Sequence, residues 1–212
     1  MAILAKIVSG ELAPGQRLRE EELAQTYKVS RTPIREILIA LEKDGLIQRT
    51  RNHGAKVISF TPDDLEELYD VRCALECLAV RRAVPHMPLN KLLEFEQRLA
   101  ALLRDGGEPR WHQRMSELDL ELHRFIVSQS GNRRLITYLE NVSLLPQSLR
   151  LAGYGDEKHA RDVGQEHLML VRALLRRDSQ LAERLLVRHI ENGKRKILEL
   201  LCRRCETRSK LA

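Results

Sequence analysis

The chain has 212 residues, enough for two small domains or one large one. Hydrophobic residues make up 43% and aromatic residues only 4%, so burial rests on leucine, valine, isoleucine and alanine, which favours helices over a β-sandwich. The net charge of +6 suits a partner that carries phosphates. No run of about 18 apolar residues occurs, so we expect no membrane-spanning helix.

The N-terminal residues and the cysteines indicate the compartment. Met1–Gly10 contains Lys6 and has no long apolar run, so we expect no secretory signal. The four cysteines do not have the spacing of a secreted disulfide framework. We therefore expect a cytoplasmic protein. The CxxC pair, Cys202 and Cys205, lies in a basic terminal stretch without a second pair, and no role is assigned to it.

Residues 1–60 are predicted to form one domain of short elements. A turn at Pro14-Gly15 follows an apolar stretch, and a short helix is predicted over 20–27. Lys28-Val29 predicts a tight turn before a second helix, which Ser30 is suited to cap at its N-terminus. Two helices joined by so short a turn form a helix-turn-helix, whose second helix can enter the major groove of DNA.

The second helix of this pair has an apolar face and a polar face. Arg31, Thr32 and Arg35 lie on the side opposite the apolar residues. An arginine fork can bind guanine O6 and N7, and hydroxyl groups suit phosphates. The alternative is that these arginines are ordinary solvent-exposed residues of a helix surface and do not contact DNA. A hairpin follows, with strands at 46–49 and 55–58 joined by a basic turn, which predicts a wing.

From residue 61 to residue 212 the pattern changes to long amphipathic helices. Pro62 and the acids after it mark a helix start. The same signals predict six helices in an antiparallel bundle. Their expected ranges are 62–86, 88–104, 109–128, 132–152 with a kink at Pro146, 156–176 and 179–201. The predicted fold class is therefore mainly α: a winged helix-turn-helix of three helices and a small β-hairpin, followed by an all-α bundle.

Four residues of the predicted bundle could bind a metal ion. Asp119 and His123 are four residues apart on one helix face, which Leu122 and its neighbours turn inward. His167 and His189 each lie 11 residues from the turn at Asp178, so an antiparallel hairpin would bring them level. Three histidines and one aspartate suit Zn²⁺, Ni²⁺, Mn²⁺ or Fe²⁺, with Zn²⁺ expected in the isolated protein. A single one of these histidines would be interpreted as a hydrogen-bonded core residue, and it is the set of four ligand-type residues that favours a metal site.

The first 58 residues resemble the winged-helix signature of GntR-type regulators. The resemblance rests on the segments 7–18, Leu23-Ala24, 29–36 and 41–47. It implies that Arg31 and Arg35 read bases, that Ser30 and Thr32 contact backbone or bases, and that the wing tip at His53 and Gly54 enters the minor groove. Some relatives have a DNA-contacting arginine where this chain has Glu21, so no such contact is expected from Glu21.

The remainder resembles the FadR branch of that family, in its FCD form and with the six-helix count of the VanR-type group. Sparse but ordered motifs carry this resemblance: 68–72, Leu75-Glu76, Asp119 with His123, 130–132, Glu166-His167 and Arg188-His189. Metal-binding members use positions that match the four predicted ligands. Leu122 replaces the usual phenylalanine before the first histidine, and no ligand is lost.

The resemblance also implies a small organic acid as the effector. Arg72 matches a position that commonly faces the cavity and could bind a carboxylate, and Arg150 is a further candidate. The alternative for Arg72 is a salt bridge with Glu76 one helical turn later.

We therefore predict a transcription regulator that is associated with the nucleoid and binds a near-palindromic double-stranded DNA operator as a homodimer. A small carboxylate effector, bound at a metal-containing cavity, is expected to control its DNA binding. The alternatives are a metal-dependent enzyme that uses the Asp/His₃ site and a regulator with a purely structural metal.

Overall fold

The computed structural model describes most of the chain, in two compact units, one up to Thr61 and one from Pro62 onward. The described residues are 3, 6–7, 11–43, 46–50, 54–58, 61–105, 110–142 and 154–209. Among them no helix combines the length and the apolar character that crossing a membrane requires.

The first unit is a winged helix-turn-helix, as predicted. Among its described residues, two helices have defined bounds, α1, Glu20–Tyr27, and α2, Arg31–Lys43, and Ile3, Lys6 and Ile7 are also helical. Its strands are β1, Arg17–Leu18, β2, Ile47–Thr50, and β3, Gly54–Val57, which form an antiparallel sheet in the order β1-β3-β2. The two wing strands are each displaced by one residue from their predicted ranges. The sequence analysis missed β1, because two residues carry no alternation from which a strand can be predicted.

A tight turn and a shared core hold the two helices together. Lys28 has left-handed backbone angles, φ 53° and ψ 43°, and its N–H and that of Val29 donate to carbonyls at the end of α1. Ile34 and Leu38 of α2 are each 1% exposed and belong to one apolar cluster with residues of α1, β2 and β3. This packing fixes which face of α2 remains open to solvent.

The second unit has six α-helices among its described residues. They are α3, Pro62–Ala83; α4, Leu89–Arg104; α5, Trp111–Ser128; α6, Arg133–Val142; α7, Glu157–Leu175; and α8, Ser179–Ser209. The mainly α fold class is confirmed. A 3₁₀ turn at Val84–His86 ends the first helix earlier than expected, because Pro85 cannot continue an α-helix. The segment 143–153, with the predicted kink at Pro146, lies outside the described residues.

Three helices of the bundle, α5, α7 and α8, surround a cluster of buried polar side chains. Helix α3 contacts α5, α6 and α8, and α7 contacts α4, α5 and α8. Asp156 and Asp178 cap the starts of α7 and α8 by accepting backbone N–H groups. The core is formed by aliphatic residues such as Leu122, Leu170 and Leu186, each fully buried. Buried histidines and carboxylates interrupt this apolar core where α5, α7 and α8 meet.

Candidate metal centre and nucleic-acid interface

Four buried side chains from three helices converge at one point. Asp119 and His123 come from α5, His167 from α7 and His189 from α8, and each is at most 7% exposed. Their ligand-type atoms all lie within 4.8 Å of one another. The hairpin of α7 and α8 brings His167 and His189 level, with 3.2 Å between their Nε2 atoms.

The spacing of these atoms fits a bound cation. The Nε2 atom of His123 lies 3.3 Å from that of His167, 3.2 Å from that of His189 and 3.3 Å from Oδ1 of Asp119. Oδ1 of Asp119 lies 3.2 Å from Nε2 of His167. These separations of 3.2 to 3.3 Å resemble those between neighbouring ligands of one Zn²⁺ ion, whose bonds to histidine nitrogen and carboxylate oxygen are about 2.0–2.2 Å long. The donor set therefore fits a first-row transition metal.

Two further carboxylates orient two of the histidines from behind. Nδ1 of His123 lies 2.5 Å from Oε2 of Glu76, and Nδ1 of His189 lies 3.0 Å from Oε2 of Glu166. An ionised carboxylate only accepts hydrogen bonds, so each Nδ1 is the protonated donor and directs its Nε2 toward the centre. Asn192 holds Glu166 in turn by donating from Nδ2 over 2.5 Å to its Oε1.

The charges around the centre favour a cation there. Burial by itself would raise the pKa of Glu76, but Arg72 and His123 outweigh it and hold that pKa well below its usual range. Burial by itself would lower the pKa of His123, but Glu76 and Asp119 outweigh it and raise the pKa to about 9. Burial and the neighbouring His167 lower the pKa of His189 to about 4. Glu76 and Asp119 therefore draw positive charge to one side of the histidine cluster.

The third histidine is held mainly by packing. His167 is fully buried, and its Nδ1 has no hydrogen-bond partner among the described residues. Gly164 lies one turn before it on α7, where a Cβ atom would come within 2.9 Å of Leu103 Cδ2 and 3.0 Å of Met115 Cε. The absence of a side chain at Gly164 thus lets α7 approach its neighbours closely at the level of the centre.

The two predicted effector residues have different outcomes. Arg72 makes the salt bridge that was the alternative, with Nε donating over 2.6 Å to Oε1 of Glu76. It therefore supports the carboxylate that orients His123. Arg150 lies outside the described residues, and its role stays a prediction.

The first unit presents two arginines on the solvent face of α2. The side chains of Arg31 and Arg35 are 63% and 64% exposed, one helical turn apart. Ser30 and Thr32 are exposed beside them. These four residues have the exposure that contact with DNA requires, but their contact with DNA stays a prediction.

The predicted wing tip is described only in part. His53 lies outside the described residues. Gly54 begins β3 with φ +79°, and a Cβ atom there would lie 2.6 Å from the carbonyl oxygen of Leu18. A structural requirement at Gly54 thus exists whether or not its backbone contacts DNA.

Acidic residues of α1 bind both arginines, which sequence reasoning did not predict. Nη1 of Arg31 donates to Oε1 of Glu21 over 2.9 Å, and Glu20 lies 3.6 Å from Arg31 and 3.9 Å from Arg35. The sequence analysis noted Glu21 only as a departure from relatives with arginine there. Similarly, Glu166 and Asn192 were not recognised as supports of His189, although Asn192 follows His189 by three residues on the same helix face.

Comparison with known proteins agrees with this architecture. Residues 1–57 match the family described as bacterial regulatory proteins, gntR family, and residues 67–192 match the FCD domain. The HTH-type transcriptional regulator YdhC of Bacillus subtilis (strain 168) is 30% identical over 88% of this chain and 83% of its own. BphR of Paraburkholderia xenovorans (strain LB400), also named as an HTH-type transcriptional regulator, is 32% identical over 89% of this chain and 79% of its own.

A solved structure shares the fold. The E. coli protein McbR/YncC has a TM-score of 0.69 and 20% sequence identity, covering 94% of this chain and 95% of its own.

A winged helix joined to a helical bundle with a buried polar centre defines a DNA-binding transcription regulator, and the matched relatives carry the same designation. The chain belongs to the GntR family and has an FCD domain at residues 67–192. Because the family and these relatives are regulators, the chain is not an enzyme, and the metal-dependent enzyme of the sequence analysis is set aside.

Proposed function

We propose that this regulator binds its operator through the exposed face of α2, and that a divalent transition metal in the bundle binds a small carboxylate effector that changes operator affinity. The domain division is 1–60 for DNA binding and 61–212 for effector and metal binding. The observation that carries the proposal is the convergence of three histidine nitrogens and one carboxylate oxygen, with Glu76 and Glu166 orienting two of the rings.

Four protein ligands suit Zn²⁺, and they also suit Ni²⁺, Mn²⁺ or Fe²⁺ if water or another ligand completes a larger coordination shell. A metal in such a shell supplies an open position to which an effector carboxylate can bind. This is the point at which the proposal differs from a purely structural metal, which would need no exchangeable ligand.

Arg72 is proposed as a protein group that contacts an effector carboxylate near the metal. Burial by itself would lower the pKa of Arg72, but Glu76, Tyr69 and Asp119 outweigh it, so the guanidinium stays charged. Nε of Arg72 donates to Glu76, and its terminal nitrogens could bind an effector carboxylate. An effector there would perturb the chain of contacts from Arg72 through Glu76 to His123, and Arg150 is proposed as a second contact.

The DNA contacts are proposed for Ser30, Arg31, Thr32 and Arg35, with the wing tip at His53 and Gly54 in the minor groove. We propose a homodimer, because two copies of α2 would then occupy the half-sites of a near-palindromic operator. Such a regulator would act in the cytoplasm, where bacterial DNA is found.

The metal and effector are tested by stability and DNA binding together. Purified protein is stripped of metal, reloaded with Zn²⁺, Ni²⁺, Mn²⁺ or Fe²⁺, and screened against small carboxylates by thermal shift. A ligand that binds only the folded protein raises the melting temperature. We expect carboxylates to raise it only in the metal-loaded protein, and to change operator affinity. Carboxylates that bind the metal-free protein equally well, or leave DNA binding unchanged, would favour a structural metal.

The DNA contact is tested with a matched pair of arginines. Arg35→Ala should lower affinity for the operator by about 5- to 150-fold and relax specificity at one base pair, as loss of a bidentate base contact does. Arg19→Ala removes the same charge from an exposed residue outside α2 and serves as the control. Equal losses in the two variants would contradict base reading by Arg35.

A further inference from the structure

The two arginines of α2 form ion pairs with acids of α1. Glu21 accepts a hydrogen bond from Arg31 over 2.9 Å. Glu20, whose side chain is 18% exposed, lies between Arg31 and Arg35, at 3.6 Å and 3.9 Å. The side chains of both arginines are about two-thirds exposed, so a DNA duplex can reach them and exchange with these carboxylates.

We propose that Glu20 and Glu21 form an autoinhibitory contact, which lowers the affinity for DNA by competing with phosphates and base edges for Arg31 and Arg35. The inference rests on the proposed role of these two arginines in DNA binding. It assigns to the acids of α1 a function in setting the affinity for DNA, in which they contact the reading arginines and not the DNA.

The physical reason lies in what each kind of DNA offers an arginine. Non-specific duplex offers mainly phosphate oxygens, so Arg31 would exchange one anionic partner for another and gain little. An operator guanine offers O6 and N7 together, in a geometry that matches the guanidinium fork. Both complexes displace the carboxylates, so the competition lowers both affinities by a similar factor, and the stronger base contact keeps the specific complex the tighter of the two.

A structural explanation of the same acids predicts a different result. The first turn of α1 contains Glu20, Glu21 and Glu22, and the helix dipole stabilises negative charge there. Arg19, the N-cap residue, makes no side-chain hydrogen bond that caps the helix. If stabilising the helix were the only role of the three acids, they would be equivalent. Glu22 differs from the others because it pairs with Arg19, at 3.2 Å. Glu22→Gln is therefore a matched control that removes the same charge from the same turn.

The experiment compares Glu21→Gln with Glu22→Gln in the full chain. The probes are the tightest duplex that the wild-type protein selects from a randomised pool and a random-sequence duplex of equal length. Affinities are measured over a series of salt concentrations. We expect Glu21→Gln to bind the random duplex about two- to five-fold more tightly than Glu22→Gln does, the range expected for loss of one exposed ion pair.

The salt dependence should change together with the affinity. For the random duplex, the slope of log K against log salt should become more negative by up to about 0.9 in Glu21→Gln, because one more arginine is free to neutralise a phosphate. The ratio of selected to random affinity should stay nearly the same, because the competing contact is lost in both complexes. Identical affinities and slopes for Glu21→Gln and Glu22→Gln would overturn the proposal. Glu21→Asp, which keeps the charge but shortens the side chain, provides a second variant.

The Arg31→Ala variant distinguishes a failure of this inference from a failure of the proposed DNA contact. If Arg31→Ala binds both duplexes as the wild type does, the proposed DNA contact of Arg31 is wrong. If it weakens binding to the selected duplex while Glu21→Gln equals Glu22→Gln, only the inference about the acids is wrong. In the Arg31→Ala background the effect of Glu21→Gln should shrink toward that of Glu22→Gln, as coupling through a shared contact requires.

Discussion

The two units use the same kind of interaction, a carboxylate held against a nitrogen cation or donor, in opposite surroundings. In the helix-turn-helix, Glu21 binds an arginine that is 63% exposed. In the bundle, Glu76 binds His123, and both side chains are at most 8% exposed. An exposed ion pair is weak and exchanges readily with another anion, whereas a buried one is costly to disrupt.

This difference matches what each region is proposed to do. The arginines of a DNA-reading surface must leave their carboxylate partners when DNA binds. The acids of that surface can therefore only compete with DNA for the arginines. A metal centre must hold its ligands in one geometry before the ion arrives, so its outer carboxylates must be fixed supports. Perturbing each carboxylate should therefore change a different property of the protein.

The largest effect is expected at the ligand set itself. His167→Ala removes a ligand that is fully buried, so the affinity for a divalent transition metal should fall by more than about 100-fold, beyond the loss expected from an outer support. Metal content after reconstitution is measured by elemental analysis. His86→Ala removes an exposed histidine from the 3₁₀ turn and should keep the wild-type content. Full metal occupancy in His167→Ala would contradict the proposed metal centre.

A smaller effect is expected at the outer carboxylate. Glu76→Gln keeps the shape of the side chain but weakens its hold on His123, so metal affinity should fall by about 10- to 100-fold. Competition with a chelator measures the change. Glu67→Gln, an exposed change on the same helix, is the control. Should the two variants bind metal equally well, Glu76 would not be a functional support.

The ligand set illustrates how far the sequence could predict this site. Asp119 and His123 share a helix face by their spacing alone, and the positions of His167 and His189 relative to Asp178 place them level in a hairpin. Short-range periodicity and one turn therefore predict two separate pairs of side chains, whereas the meeting of the two pairs is also implied by the resemblance to metal-binding members of the FCD group. Their occupation by a metal stays a proposal.

The supports could not be predicted in this way. Glu76 is 47 residues from His123, and their contact depends on how α3 packs against α5. The pair of Arg31 and Glu21, ten residues apart, depends on the angle between two helices that the left-handed Lys28 sets. No local pattern encodes either geometry.

The wing offers a test of structural against DNA-contacting roles within the first unit. Gly54→Ala should destabilise the wing by about 1–3 kcal/mol, because it combines a left-handed φ with a contact of 2.6 Å to the Leu18 carbonyl. Gly15→Ala has the same φ of +79° but meets only Lys56 Cε at 3.6 Å, so a smaller effect is expected. Hydrogen exchange of the β2–β3 segment reports both. Equal protection in the two variants would contradict the clash at Gly54.

The smallest effect should come from the exposed acid. Glu21→Gln should change the free energy of unfolding by less than about 1 kcal/mol, because exposed ion pairs contribute little to stability. Far-UV circular dichroism in urea measures this. Trp111, the single tryptophan, is buried in the bundle, so its fluorescence follows that unit and should show no change. If the free energy of unfolding fell by several kcal/mol, Glu21 would be a structural residue of the first unit. Glu21 would then not be an exchangeable carboxylate, and the proposed contrast with the fixed carboxylate Glu76 would be wrong.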